Sequence, residues 1–240
     1  MAGLIGYVAV VYLLVSSTPL GWLDALFLAA IIELLPVLAV VQVEVARDLV
    51  LERTGAYVTS AATILFLGVV SLVLGSRLLG VEEMGVALEL DRVAYVMVGG
   101  AGTFVLGIVT LWLFLVLRKR GGWVESRLVH ELMPITRREK GLYAGLSICA
   151  GFGEELAYRA YAIPVVMVAG ASAPAALALT SVAFAALHSY QGVLGVVRTG
   201  VVGVIMGAVF LHTGSVWPPV VGHVLIDLAV GFVLADELLA

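Results

Sequence analysis

Five ionisable side chains that could do chemistry fall inside long apolar stretches of the chain: Glu154, Glu155, His188, His223 and Asp227. Charge is costly in hydrocarbon, so each of these groups is a candidate for function. Glu155 and Arg159 are four residues apart in the run Glu154-Glu155-Leu156-Ala157-Tyr158-Arg159. On a helix they share a face, in the order that favours an ion pair. Glu154 points about 100° away around the same helix. Arg159 can therefore neutralise one carboxylate while the other meets a different neighbour. A carboxyl left unpaired in a low dielectric can act as acid or base near neutral pH. His188 closes the run Phe184-Ala185-Ala186-Leu187-His188 and leads into Ser189-Tyr190-Gln191-Gly192. His223 and Asp227 are also four apart, so Asp227 can fix the tautomer of the imidazole. Singly, each has an ordinary reading as helix glue, an interfacial histidine or a packing hydrogen bond. Together, on three separate apolar helices, they supply enough bases to activate water, or enough ligands for a metal.

The elements that carry them follow from composition. The 240 residues are 62% apolar and 12% charged, with mean hydropathy +1.14. Soluble domains run about 45–50% apolar and about 25% charged, so this is a membrane chain. Apolar stretches near 3–16, 20–42, 56–80, 93–117, 140–162, 174–190, 193–212 and 217–235 predict an all-α, polytopic integral membrane bundle of about eight transmembrane helices. Their continuous apolarity, without alternation, excludes a transmembrane barrel. The first and sixth are short for a full span. The piece 163–173, bracketed by Pro164 and Pro174, is too short to cross and reads as a turn or interfacial segment. The run from Leu4 to Val15 has no preceding Lys or Arg and no Ala-x-Ala-like site after it, so it reads as a retained first helix.

Polar loops fall at 43–55, 81–92 and 118–140. The last holds seven of the thirteen basic residues: Arg118, Lys119, Arg120, Arg127, Arg137, Arg138 and Lys140. The positive-inside rule puts 118–140 in the cytoplasm with both termini, and the acidic loop 81–92 outside. Residues 123–138 suggest a short amphipathic surface helix interrupted by Pro134. The organisation is one membrane domain: residues 1–139 form N-terminal helices and the basic loop, and 140–240 form the core that carries the ionisable clusters. A net charge of −4 gives no footprint for nucleic acid. The single cysteine, Cys149, allows no intrachain disulfide. The pairs Gly141/Gly145 and Gly203/Gly207 suggest close helix packing. Among lesser intramembrane polars, Glu33 is placed to pair across the bundle, Arg198 can snorkel, and Asp24 and Trp22 look interfacial.

The motifs Glu154-Glu155-x-x-x-Arg159, Phe184-x-x-x-His188 and His223-x-x-x-Asp227, in this order, resemble the CAAX protease and bacteriocin-processing (Abi) family. That family includes the Ras-converting type II CAAX prenyl endopeptidases. The phrases Ser189-Tyr190-Gln191-Gly192 and Thr213-Gly214-Ser215-Val216-Trp217-Pro218 look like it too, and the resemblance covers about residues 140–235. It implies an intramembrane, metal-independent glutamate-type endopeptidase that hydrolyses a peptide bond of a membrane-associated or lipidated peptide, CAAX-like prenylated tails included. Glu154 and His188 would activate water. Glu155 and Arg159 would hold the first motif in place, supported by Phe184. His223 and Asp227 would stabilise the oxyanion. The sequence departs from the pattern at Asp227, where the prenyl endopeptidases favour Asn; an ionised Asp cannot donate to an oxyanion. The implied partners are the lipid bilayer and a peptide substrate, with no cofactor. A divalent metal on Glu154, His188 and His223 is the lesser alternative.

Two other functions stay open at this point. One is a non-proteolytic immunity or interaction protein of the same fold. The other is a proton-coupled transporter with Glu154, Glu155 and Asp227 as relays, for which inverted repeats would be expected; none is evident. The chain has no His-Glu-x-x-His, Gly-x-Ser-Gly or Gly-x-Gly-Asp motif, and its two lysines, Lys119 and Lys140, sit in the basic loop. Depth raises one tension. Glu154 lies 14 residues after Lys140 and His188 lies 14 after Pro174. If those helices enter from opposite faces of a core about 30 Å thick, the two side chains sit roughly 12 Å apart in depth.

Overall fold

The computed structural model describes residues 2–46, 51–235 and 237; part of the expected 43–55 loop therefore lies outside the described residues. The architecture is helical throughout, with no strand among the described residues. The helices are α1 (Ala2–Ser17), α2 (Trp22–Ala29), α3 (Leu35–Ala46), α4 (Arg53–Leu78), α5 (Val93–Gly121), α6 (Arg127–Leu132), α7 (Arg137–Glu155), α8 (Ile163–Val168), α9 (Ala173–Leu187), α10 (Gly192–Thr213) and α11 (Trp217–Phe232). Two junctions are not breaks. A π-helical turn, Ala30–Leu34, joins α2 to α3, and another, Leu156–Ala162, joins α7 to α8. Among the described residues nine continuous helices result: the eight that the hydropathy pattern predicts and the six-residue α6. Four are long and apolar enough to cross a bilayer: Trp22–Val45, Arg53–Leu78, Leu90–Gly121 and Ser189–Thr213. Gly3–Ser17, Ala173–Leu187 and Trp217–Phe232 are apolar but shorter.

The two π turns share a cause. Each ends two residues before a proline, Pro36 or Pro164. Proline cannot donate to the carbonyl four residues back and crowds it. Widening the preceding turn relieves that conflict without breaking the helix. This corrects the expectation for 163–173. Residues Ile163–Val168 continue the α7 helix, and Ile163, Val165 and Val166 are buried. Only 169–172 form the turn into α9. The π turns also meet: the Tyr158 hydroxyl donates to the Ile31 carbonyl at 2.9 Å. The largest apolar cluster gathers around this junction, from Ala25, Leu28 and Ile31 to Tyr161, Val165 and Phe210.

The loops collect at two ends of the bundle. At one end the 79–92 segment is tied to the α10–α11 turn: Val216 N donates to Gly85 O at 3.0 Å, and Trp217 Nε1 to Val86 O at 3.0 Å. Asp24 is there too. It is buried and takes Arg77 on both carboxylate oxygens at 2.7 and 2.9 Å. At the other end lies the basic segment. Tyr57 of α4 donates to Leu132 O at 2.7 Å, and Lys119 pairs with Glu237 at 2.9 Å. The expected surface helix shrinks to α6, six residues that stop just before Pro134. A capping box on Thr136 and Glu139 then starts α7.

Close approach sets the packing of α7. A Cβ on Gly153 would lie 2.5 Å from Ile64 O of α4, and one on Gly151 would lie 2.4 Å from Val224 Cγ2 of α11. The glycine pairs behave differently from one another. Gly207 packs against Leu177 as expected, but nothing lies within 4 Å of a Cβ at Gly141 or Gly145. That pair falls in the first turns of α7 and faces outward, so its four-residue spacing builds no interface. Gly153→Ala should push α4 from α7 and cost about 1–3 kcal/mol of stability, the usual range for overpacking. Thermal unfolding in detergent checks this, with Gly141→Ala expected to leave the transition unchanged or slightly raised.

Candidate active site

Glu155 is the last residue of α7 and Arg159 lies in the following π turn, both with essentially no exposed surface. Arg159 Nη1 donates to Glu155 Oε1 at 2.8 Å, as the four-residue spacing predicts. Its Nη2 donates to the carbonyl of Gly203 on α10 at 3.2 Å. The guanidinium also stacks on the Phe184 ring, 4.5 Å from its centroid. One cation therefore binds α7, α9 and α10 together.

The same oxygen, Glu155 Oε1, contacts His223 Nδ1 of α11 at 2.8 Å. Glu155 is a carboxylate, so the imidazole donates, and its Nε2 turns the other way. Nε2 stands 3.7 Å from Glu154 Oε2 and 3.7 Å from Asp227 Oδ2. The residue that orients His223 is thus Glu155, where the sequence suggests Asp227. Asp227 is four residues along on the same helix, and its short arm does not reach hydrogen-bond distance. Glu155 arrives from the facing helix with a longer one. Glu154 points away from Arg159, and its Oε2 is buried with no hydrogen-bond partner among the described residues.

Phe184 is the surface on which these groups assemble. Its ring centroid is 4.8 Å from that of His188, 6.2 Å from His223 and 5.4 Å from Tyr158. His188 caps α9, and its Nδ1 lies 2.9 Å from Phe184 O. The ring donates there, because the carbonyl can only accept. This leaves Nε2 for other partners. The depth tension disappears once α8 is recognised as helix. Counted from the 169–172 turn, Glu154 is 14 residues before Val168 and His188 is 15 after Ala173, so the two reach nearly the same level on antiparallel helices. The error came from taking Lys140 as a membrane boundary. The α7–α8 helix spans 137–168, about 48 Å at 1.5 Å per residue, and overshoots a core of about 30 Å.

Seven sequence-flagged residues, Glu154, Glu155, Arg159, Phe184, His188, His223 and Asp227, are thus brought together from three helices, the continuous α7–α8 helix, α9 and α11. Glu33 is not among them; it sits in the first π turn, where a Cβ on Gly6 of α1 would lie 2.6 Å from its Oε1. Two participants carried no readable signal: the Gly203 carbonyl, which depends on helix packing, and the Ile31 carbonyl under Tyr158, which a π turn presents. Among the described residues no three His, Cys, Asp or Glu side chains are grouped as metal ligands.

Residues 139–229 match the family model of type II CAAX prenyl endopeptidase Rce1-like proteins. The matched stretch runs from the start of α7 into α11 and contains all seven of these residues. The family is one of peptidases. No curated protein and no solved structure matches the chain.

Arg159→Met should cost about 3–5 kcal/mol of stability, because it leaves Glu155 as a buried charge facing only His223. Replacing Glu155 and Arg159 together by leucine and methionine should cost less than the sum of the single changes. Unfolding of the three variants in one detergent checks both statements.

Proposed function

We propose that this protein is an intramembrane glutamate-type endopeptidase that acts on a membrane-associated or lipidated peptide. The observation that carries this reading is the division of labour between adjacent carboxylates. Glu155 Oε1 is held by Arg159 and His223, while Glu154 has no such hydrogen bond and its Oε2 stands 3.7 Å from His223 Nε2; the Oε2 of each carboxyl is buried without a hydrogen bond among the described residues. A carboxyl with no hydrogen bond to hold it, beside an imidazole, is equipped to move a proton. Glu154 takes a proton from a water molecule that His188 Nε2 helps to hold. The water oxygen attacks the peptide carbonyl carbon and forms a tetrahedral oxyanion. Glu154 then returns the proton to the leaving amine as the C–N bond breaks. The second water proton leaves the new carboxylic acid for the amine, so the products are a carboxylate and an ammonium group.

The charge on the oxyanion falls to His223 and Asp227. Three carboxyl groups and two cationic partners, Arg159 and an imidazolium at His223, make a neutral site when the carboxyls share one proton. His223 then donates from Nε2, and a protonated Asp227 donates as Asn does in the prenyl endopeptidases. That accommodates the departure at position 227. The basic end of the bundle faces the cytoplasm in this reading, and the substrate reaches the site from that side. No metal takes part in the steps described.

Cleavage of a lipidated peptide by purified protein in lipid nanodiscs tests the proposal. Glu154→Gln and His188→Ala should each lose about 10²–10⁴-fold in kcat, the usual contribution of a positioned acid–base group. Excess chelator should leave the wild-type rate unchanged. Full activity in either variant would overturn the reading. Asp227→Asn should stay within about tenfold of wild type, whereas Asp227→Ala should fall by about 10²–10³-fold, the cost of one oxyanion donor. A comparison of prenylated and unprenylated peptides of one sequence identifies the substrate class.

A further inference from the structure

One carboxylate outside the reacting group is buried among charges although it belongs to a loop. Glu125 lies in the irregular link between α5 and α6, yet it is only 8% exposed. Its Oε2 is 3.4 Å from Arg118 Nη1 of α5, and its Oε1 is 3.5 Å from Arg198 Nη2 of α10. Both arginines are buried as well. Arg198 therefore reaches this loop carboxylate and is covered there. Drawing a loop acid out of water is costly unless it is paired and hydrogen-bonded.

The contacts continue toward His188. Arg198 Nη2 also donates to Gln191 Oε1 at 3.0 Å, and that oxygen accepts from Thr199 Oγ1 at 3.1 Å. The Gln191 amide donates to the Tyr190 hydroxyl at 3.3 Å. The Tyr190 ring centroid is 6.0 Å from that of His188. Backbone geometry keeps Gln191 in this place. Gly192 has φ +76° and turns the chain into α10, and a Cβ on Gly195 would lie 2.3 Å from Gln191 Cβ. An unbroken series of contacts thus joins the basic segment to the short turn that carries His188.

We propose that Glu125 is a positioning residue for His188. Its carboxylate clamps Arg198, Arg198 holds Gln191, and Gln191 with Tyr190 sets the placement of the imidazole. The proposal rests on the reading of His188 as part of the hydrolytic site. Such a clamp has a clear use. His188 caps a helix and is followed by a three-residue connection, Ser189–Gln191, and displacement of a reacting group by about 1 Å can cost 10²-fold in rate.

The test uses full-length protein in nanodiscs as wild type, Glu125→Gln, Glu125→Asp and Gly195→Ala. Glu125→Gln keeps shape and removes charge. It should lower kcat by about 10²-fold with little change in KM, and it should speed amide hydrogen exchange at 188–192 while α4, α5 and α11 exchange as in wild type. Glu125→Asp should recover part of the rate. Gly195→Ala should loosen the same turn although Glu125 is intact. Wild-type kcat and wild-type exchange at 188–192 in Glu125→Gln would overturn the proposal. So would a loss of rate accompanied by faster exchange throughout the bundle, which marks a purely structural residue. If the wild-type protein cleaves no peptide, the hydrolytic reading fails, and the exchange at 188–192 alone decides whether the clamp exists.

Discussion

A fully buried ion pair governs the centre of this molecule. Glu155 and Arg159 have almost no exposed surface, and either one alone would be an uncompensated buried charge. Because they are paired, they can be shared. Glu155 reaches α11 through His223, and Arg159 reaches α10 through the Gly203 carbonyl and α9 through the Phe184 ring. Three helices are therefore registered on one pair of charges. The arrangement also determines which carboxylate remains for chemistry, since Glu154 is left without Arg159.

Backbone irregularity makes the pair fit. A straight α-helix through Pro164 would lose a hydrogen bond and clash with its own preceding turn. The π turn at Leu156–Ala162 absorbs that conflict and carries Tyr158 and Arg159 inward. A second π turn, before Pro36, presents the Ile31 carbonyl that receives Tyr158. The close approaches at Gly151 and Gly153 then let α7 sit tightly between α11 and α4, immediately before the two glutamates. The conflict at Pro164 is thus accommodated by the segment that also supplies Arg159 of the candidate site.

Much of this was legible in the sequence. Continuous apolarity is a strong signal, and the eight helices follow from it with small shifts at their ends. Four-residue spacing paired Glu155 with Arg159 correctly, because that interaction lies along one helix. What the spacing could not show lies between helices. It assigned the orientation of His223 to Asp227, the neighbour on its own helix, whereas the contact comes from Glu155 on α7. Proline at 164 suggested a break because a π turn leaves no pattern in hydropathy. Gly141 and Gly145 had the spacing of an interface but face no helix. The ion pairs of Asp24 and Arg198 were not readable, since their partners, Arg77 and Glu125, are remote in sequence. Pairwise tertiary contacts decide these cases, and one sequence read along its length does not contain them.

In the proposed mechanism Glu154, His188 and His223 surround a single point where water is held and activated. The most direct measurement is an experimental structure in lipid, at a resolution that shows ordered solvent. The account predicts a water molecule within hydrogen-bond distance of Glu154 and of the free nitrogen of His188, with His223 still bound to Glu155. A dry, side-chain-filled space between Glu154 and His188, or a Glu154 carboxylate turned toward lipid, would contradict it.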